Sequence, residues 1–187
     1  MFKNKVLNSP DLQGKEFTDL KFFHCQFRGT HRFASFTRCL FDTCDFTGAD
    51  LEDATFDHCR FPESRLSQLD FSRTFFRACD YSSGIFIGTH FVQRDGHHRQ
   101  ARFNLSNTKF LHSDLTQAVF DHVNLTWAEF TGSNLKLAIF DHSLLDHTDF
   151  TACDLEGTAF VDCAIKQAKL DFGGFVSYGR SKGFTTG

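Results

Sequence analysis

The sequence contains little proline, which is common in linkers between domains, and little methionine or tryptophan, which are common in mixed globular cores. Its 187 residues include two prolines, one methionine and one tryptophan. With so little proline, no segment is typical of a Pro-rich linker, and the chain is predicted to form one domain over residues 1–187. No stretch approaches the roughly 18 apolar residues of a membrane span. The N-terminus also lacks the apolar core of a secretory signal. A cytoplasmic protein without membrane contact is therefore expected.

Motifs for catalysis and cofactor binding are absent as well. There is no HExxH metal motif, GxGxxG dinucleotide motif or GK(S/T) phosphate loop, and no cysteine pair has the CxxC spacing of a zinc site. The sequence thus predicts a protein that is not an enzyme and holds neither cofactor nor metal. His122 and His142, twenty residues apart, each follow an aspartate. A surface metal site is one interpretation of that pair, and a repeated Asp-His corner is the simpler one.

Charge is distributed unevenly although the total is only −3. Residues 105–172 carry ten acids against four lysines, a local net charge of −6. Residues 92–104 carry Arg94, Arg99 and Arg102 against Asp95, a local net charge of +2. One interpretation of this uneven distribution is that any solvated surface needs charge of some sign. The other is an acidic rod interrupted by one basic projection.

Phenylalanine is abundant, at 26 residues, and large apolar residues recur at every fifth position. A period of five matches neither the 3.6 of a helix nor the 2.0 of a strand, so it indicates a repeat architecture. The first series runs Phe36, Phe41, Phe46, Leu51, Phe56, Phe61, Leu66, Phe71, Phe76, Tyr81, Phe86, Phe91. The second runs Leu105, Phe110, Leu115, Phe120, Leu125, Phe130, Leu135, Phe140, Leu145, Phe150, Leu155, Phe160, Ile165, Leu170.

Small residues stand two positions before most of these large ones. Residues two apart on an extended segment point to the same side, so both are predicted to face inward, with a corner made by the remaining polar positions. All seven cysteines occupy the small position. They are predicted to be buried free thiols that replace alanine. Cys39, Cys59 and Cys79, spaced by twenty, are predicted to stack on one face of successive coils.

Several five-residue units resemble the A(D/N)LXX signature of the pentapeptide-repeat family: Ala49–Asp53 (ADLED), Ser133–Leu137 (SNLKL) and Cys153–Gly157 (CDLEG). The resemblance covers about residues 15–175. It implies an all-β fold, a right-handed quadrilateral β-helix in which four units close one coil. Seven to eight coils at about 4.8 Å each would form a rod of about 35 Å, similar to one turn of B-DNA.

Three places depart from the repeat and divide the domain into coils at 15–91 and 105–172. At 28–35 the early series Phe17, Phe22, Phe27 slips by one residue, which predicts a small bulge in one coil. Residues 92–104 have no inward pattern before Phe103 and are predicted to project as a binding loop, with an inert insertion as the alternative. Residues 173–187 form a Gly-rich tail, and its glycines disfavour a helix. Either a frayed end or a cap over the last coil is therefore predicted.

Within the family, the chain resembles the Qnr-type quinolone-resistance and poison-immunity proteins, through Phe46–Leu51 (FTGADL), Phe23–Phe27 (FHCQF) and the single long loop. That resemblance implies binding to bacterial DNA gyrase and topoisomerase IV, and protection of both from poisons, by a rod that imitates DNA without contacting nucleic acid. The alternative is a general interaction scaffold with no topoisomerase partner. The helix that dimerises such rods has no counterpart in the sequence, nor does a second, smaller loop near residues 61–65, so a homodimer stays open.

The resemblance also assigns residues. The loop contacts are Arg94, Asp95, His97, His98, Arg99 and Arg102. The DNA-mimicking acidic surface is Asp114, Asp121, Glu129, Asp141, Asp149 and Asp154. Trp127 occupies an outward position, either as an anchor for a partner or as a partly covered surface residue.

Overall fold

The computed structural model describes residues 1–92, 103–181 and 183–185. In these ranges the chain forms short parallel strands and two helices. The strands are β1 Phe2–Lys3, β2 Val6–Leu7, β3 Glu16–Thr18, β4 Lys21–Phe23, β5 Gln26–Phe27, β6 Gly29–Thr30, β7 Ser35–Thr37, β8 Leu40–Asp42, β9 Ala49–Asp50, β10 Thr55–Asp57, β11 Phe75–Arg77, β12 His90–Val92, β13 Phe103–Asn104, β14 Val119–Asp121, β15 Val123–Asn124, β16 Ile139–Asp141 and β17 Ala159–Val161. The helices are α1 Ser9–Leu12 and α2 Phe172–Ser181.

The pairing register shows a four-sided coil. Phe56 of β10 pairs with Phe36 of β7, and Phe140 of β16 pairs with Phe120 of β14, in both cases twenty residues apart. Because each unit has five residues, four units close one coil, and the chain forms about eight turns of a parallel β-solenoid. The predicted β-helix is confirmed.

Nearly every corner in the described ranges places a residue in the left-handed backbone region. In the unit of Leu135, the N–H of Ala138 donates to the carbonyl oxygen of Leu135 (N···O 3.0 Å), and Leu137 between them has φ 57°. This is the arrangement of a type II turn, whose third residue requires positive φ. Non-glycine residues adopt it at about 1–2 kcal/mol each, so the stacking of the coils must outweigh a cost that recurs at 23 positions.

The core is a stack of aromatic rings. One uninterrupted column has ring centroids 4.9–5.3 Å apart, close to the spacing of neighbouring strands. Rings on opposite sides of the coil meet edge to face, as Phe120 and Phe130 do at 5.8 Å and 88°. Both geometries are those that aromatic pairs prefer. The column consists of Phe2, Phe22, Phe41, Phe61, Tyr81, Phe110, Phe130 and Phe150.

The small inward residues satisfy backbone groups between coils. The Ser64 hydroxyl donates to the carbonyl oxygen of Phe41 (2.8 Å) and accepts from the N–H of Cys44 (2.9 Å). The Cys59 thiol donates to the carbonyl oxygen of Phe36 (3.4 Å). All seven cysteines are free, and six are buried as predicted, whereas Cys163 in the last coil is only partly buried. Burial raises the pKa of Cys44 to about 12, so that thiol stays protonated and unreactive at neutral pH.

The predicted bulge at 28–35 is wrong, because this coil is one residue shorter instead of one residue longer. Phe17 pairs with Phe36 and Phe22 pairs with Phe41, nineteen residues on in both cases, where pairs between regular coils differ by twenty. His31 follows Phe27 by four residues and takes the inward position at 0% exposure, while Phe33 forms the exposed corner with φ 58°. Both ring nitrogens of His31 are buried without a hydrogen-bond partner.

The main interruption adds nine residues to one coil without disturbing the core. Phe91 pairs with Phe120, twenty-nine residues on instead of twenty, and their rings stack at 4.9 Å. Val92 and Phe103, the described residues on either side of the insertion, are both buried. The predicted loop contacts, within residues 93–102, lie outside the described residues.

The expectation that the Gly-rich tail would not form a helix is wrong, since residues 172–181 form α2, which packs against Phe160 of the last coil. Its N–H groups are capped by Asp171, whose Oδ1 accepts from the N–H of Gly174 (2.6 Å). Tyr178 packs edge to face on Phe160 at 5.5 Å. A Cβ on Gly174 would lie 3.1 Å from Asp171 Oδ1 and 3.4 Å from Leu170, so glycine permits the close approach. Capping by Asp171 and packing of Tyr178 on Phe160 outweigh the low helix propensity of glycine.

No helix in the described part of the chain is long and apolar enough to cross a membrane.

Candidate partner-binding surfaces

The predicted acidic residues lie in three columns on the C-terminal coils. Asp121 pairs in register with Asp141, and Glu129 pairs with Asp149. Asp114 and Asp154 belong to one column with Asn134 between them. Each column comes from a different unit of the coil. The six carboxylates therefore cover three sides of the rod and do not gather on one face.

Lysines neutralise two of these columns. Lys169 Nζ lies 3.6 Å from Asp149 Oδ2, and Lys136 Nζ lies 3.3 Å from Asp154 Oδ2. Partial burial of Asp149 would raise its pKa, but hydrogen bonds from Thr151 and the attraction of Lys169 outweigh that effect and lower the pKa of this carboxyl.

The Asp121 and Asp141 carboxylates have histidines as neighbours instead. Each aspartate accepts from Nδ1 of the histidine that follows it, His122 and His142 respectively. The two imidazoles stack at 4.9 Å with an interplanar angle of 2°. In the described part of the chain, neither carboxylate of this column forms an ion pair with a lysine.

The N-terminal coils carry a different electrostatic surface. Residues 1–91 contain eleven lysines and arginines against twelve acids, a net charge of −1. Arg38 forms two hydrogen bonds to Asp19 (2.7 and 2.8 Å), and Arg77 pairs with Asp57. The guanidinium of Arg77 lowers the pKa of Asp57 to about 2. Exposed pairs of this kind contribute little stability, but they leave the C-terminal coils as the acidic part of the rod.

Trp127 lies at a corner, is half-exposed, and stacks on His147 with centroids 3.9 Å apart and an interplanar angle of 2°. The two residues form a flat aromatic patch on the C-terminal coils. His147 was not among the predicted site residues. Its distance of twenty from Trp127 is a signal in the sequence that identifies it as the neighbour one coil away.

Models of known protein families match most of the repeat region. A model described as a pentapeptide repeat region matches residues 34–109, and one described as pentapeptide repeats matches residues 104–136. Together they cover residues 34–136, that is 103 of 187 residues. The chain is a pentapeptide-repeat protein. Comparison with curated protein sequences finds no significant match.

Among solved structures, the protein is similar to a trypsin-treated variant of QnrB1, described as a plasmid-mediated fluoroquinolone resistance protein. The match has a TM-score of 0.70 at 19% identity and covers 99% of this chain and 97% of QnrB1. HetL, described as involved in heterocyst differentiation regulation in a cyanobacterium of the genus Nostoc, matches with a TM-score of 0.36 at 13% identity, covering 90% of this chain and 88% of HetL. At these identities, the first match establishes the fold, and the second supports no further argument.

Proposed function

We propose that this protein is a cytoplasmic, non-enzymatic DNA mimic. It binds DNA gyrase, topoisomerase IV or both, and protects them from quinolones or from peptide and natural-product poisons. The observation that carries the proposal is the end-to-end fold similarity to QnrB1, whose description is that of a fluoroquinolone resistance protein. The acidic C-terminal coils and the basic insertion supply the surface chemistry, without contact to nucleic acid.

Mimicry requires carboxylates where phosphates of the duplex would meet basic residues of the enzyme. Stacked coils place equivalent side chains about 4.8 Å apart along the rod. Asp121 and Asp141 occupy such equivalent positions. Their column, which forms no ion pair with a lysine among the described residues, is the part of the acidic surface most available to a cationic partner.

The insertion is tested by deleting residues 93–102 and measuring gyrase supercoiling in the presence of a fluoroquinolone. The deletion places Phe120 nineteen residues after Phe91, a coil length that Phe17 and Phe36 already show to be tolerated. It is therefore expected to leave the far-UV circular dichroism unchanged while abolishing protection. Rescue by the deletion variant equal to that of the parent protein would refute the role of the loop.

The acidic column is tested by the double variant Asp121→Asn/Asp141→Asn in a gyrase binding measurement at two salt concentrations. Loss of two carboxylates is expected to weaken binding and to reduce its salt dependence. Glu16→Gln/Glu63→Gln, at two exposed positions of the N-terminal coils, removes the same number of carboxylates; it is the matched control and is expected to bind like the parent. Equal weakening in both variants would indicate a general effect of net charge and contradict the assignment.

The same resemblance suggests a homodimer joined through the C-terminal helices, and α2 supplies such a helix. Phe172 is 81% exposed, and Phe175 and Phe184 are exposed beside it. An apolar surface of this kind at the end of a rod suits a second copy of the same surface. Light scattering of the parent is expected to give a dimer mass and that of Phe172→Ser/Phe175→Ser a monomer mass. A monomeric parent would exclude this assembly.

A general interaction scaffold is the second candidate, favoured by the patch of Trp127 and His147, which duplex mimicry does not use. Aromatic side chains of this kind anchor many protein interfaces. A pull-down against purified gyrase and topoisomerase IV subunits separates the candidates. Retention of either enzyme supports the first proposal, and retention of neither, together with an unchanged drug threshold in a susceptible bacterium, supports the second.

A further inference from the structure

We infer that His122, His142 and Asp162 form a binding site for a borderline divalent transition-metal ion, with Zn²⁺ as the reference ion and with Asp121 and Asp141 as the hydrogen-bond partners behind the two rings. One carboxylate oxygen of Asp121 and one ring nitrogen of each histidine lie within 4.8 Å of one another. The residues come from successive coils, because β14 and β16 pair in register at Asp121 and Asp141. The sequence alone favoured a repeated corner here, whereas the structure brings the three groups together.

The hydrogen bonds fix the tautomer that a metal needs. Nδ1 of His122 and Nδ1 of His142 (2.6 Å) each lie within hydrogen-bond distance of Oδ1 of the preceding aspartate. An ionised carboxylate can only accept, so Nδ1 of a neutral imidazole carries the proton and Nε2 carries the lone pair. A carboxylate that holds the far nitrogen of a ligating histidine is the usual outer partner at zinc sites, where it raises the basicity of the ligand.

The ligand atoms can converge on one ion by small side-chain rotations. At Zn–N distances of about 2.0–2.1 Å, two ligands in tetrahedral geometry lie about 3.4 Å apart. The side chains of His122 and His142 are 52% and 49% exposed, so surrounding atoms do not prevent the tilt. Asp162, in the next coil, has its Oδ2 3.8 Å from His142 Nε2 and supplies the third protein ligand, which leaves the fourth position to water.

The mixture of imidazole and carboxylate decides the class of ion. Imidazole suits Zn²⁺, Ni²⁺ and Cu²⁺, whereas Mg²⁺ and Ca²⁺ prefer oxygen ligands alone. A bound dication would join neighbouring coils at this corner and offset two carboxylate charges on the column of Asp121 and Asp141. The ion would thereby reduce the acidity of the surface to which we assign the topoisomerase. The metal site itself does not depend on that function.

The test is isothermal titration of the full chain with ZnCl₂, with MgCl₂ as a parallel titrant. One zinc ion per chain and no magnesium binding are expected. His122→Gln and His142→Gln are each expected to weaken zinc binding at least tenfold. Asp141→Asn, which removes only the carboxylate behind His142, is expected to weaken it about 10- to 100-fold.

Two control variants isolate the site. His58 has the same corner, with Nδ1 2.6 Å from Asp57 Oδ1, but Arg38 and Ala78 occupy the neighbouring positions of its column, so His58→Gln should bind zinc like the parent. His97→Gln/His98→Gln removes the adjacent histidines of the insertion and should also bind like the parent. The proposal is overturned if His122→Gln and His142→Gln retain the affinity of the parent, if the His97/His98 variant alone loses it, or if one ion binds per two chains.

Discussion

His31→Leu is predicted to stabilise the protein, and by more at acidic pH than at neutral pH. His31 occupies an inward position that leucine or phenylalanine holds in most units, at 0% exposure and with both ring nitrogens lacking a hydrogen-bond partner. Leu12 and Leu51, its equivalents one coil away on either side, are buried leucines. Leucine at residue 31 would continue that column without a polar atom.

The expected magnitude follows from two contributions. A buried polar group without a partner costs about 1–3 kcal/mol, so removing it should stabilise the fold by about 2 kcal/mol at pH 7.5. Burial also lowers the pKa of His31 below its ordinary value of 6.5, although the charges of Asp50 and Asp11 oppose the effect. The unfolded chain therefore takes up a proton below about pH 6.5 that the folded chain refuses, so stability falls as pH falls, by up to about 1.4 kcal/mol per pH unit.

Urea unfolding followed by circular dichroism at pH 7.5, 6.5 and 5.5 measures both contributions. The free-energy difference between His31→Leu and the parent should be positive at pH 7.5 and should widen toward pH 5.5. Asp57, whose pKa lies at about 2, titrates well below this window and does not interfere. A difference that stays constant over the three pH values, or a destabilised leucine variant at pH 7.5, would refute the assignment of His31 as a buried core residue without hydrogen-bond partners.

Three further substitutions test the core and the corners. Phe130→Ala removes a ring stacked on both sides and should cost about 3–5 kcal/mol; chemical denaturation showing under about 1 kcal/mol would contradict its inward position. Ser64→Ala leaves a buried N–H and a buried C=O unpaired and should cost about 1–3 kcal/mol, with a loss near zero arguing against both bonds. Gly132→Ala should lower the thermal midpoint more than Gly14→Ala. Both have positive φ, but only at Gly132 does the new Cβ meet a neighbour, His112 Nδ1, at 2.4 Å.

Much of the fold is predictable from spacing alone. Once four units close a coil, the position of a residue such as Phe130 or Cys59 in its five-residue unit decides whether it points inward, and a distance of twenty identifies its neighbours. The same arithmetic predicts the stacks of Cys39, Cys59 and Cys79 and of His122 and His142. The arithmetic fails where a polar residue takes an inward position, as His31 does, because a search for large apolar residues at fixed spacing does not find it.

Other features depend on contacts that spacing does not encode. Helix α2 forms because Asp171 caps it and Gly174 lets it approach the last coil, two tertiary effects that override propensity. Composition identifies the C-terminal coils as acidic. The separation of the acidic residues into three columns, and the pairing of two of these columns with lysines, depend on the coil geometry and on side-chain conformations. The function of the basic insertion stays a prediction, since residues 93–102 lie outside the described part of the chain.

One coil lost a residue at His31 and another gained nine after Val92, yet the rings above and below both places stay in line. The fold therefore constrains vertical alignment and not the number of residues between corners. Evolution can lengthen, shorten or graft a segment at any corner without repacking the interior, provided that the next large side chain falls back into its column. Diversity among such rods should accordingly accumulate as corner insertions and deletions, and protein engineers can use the same corners to display foreign peptides.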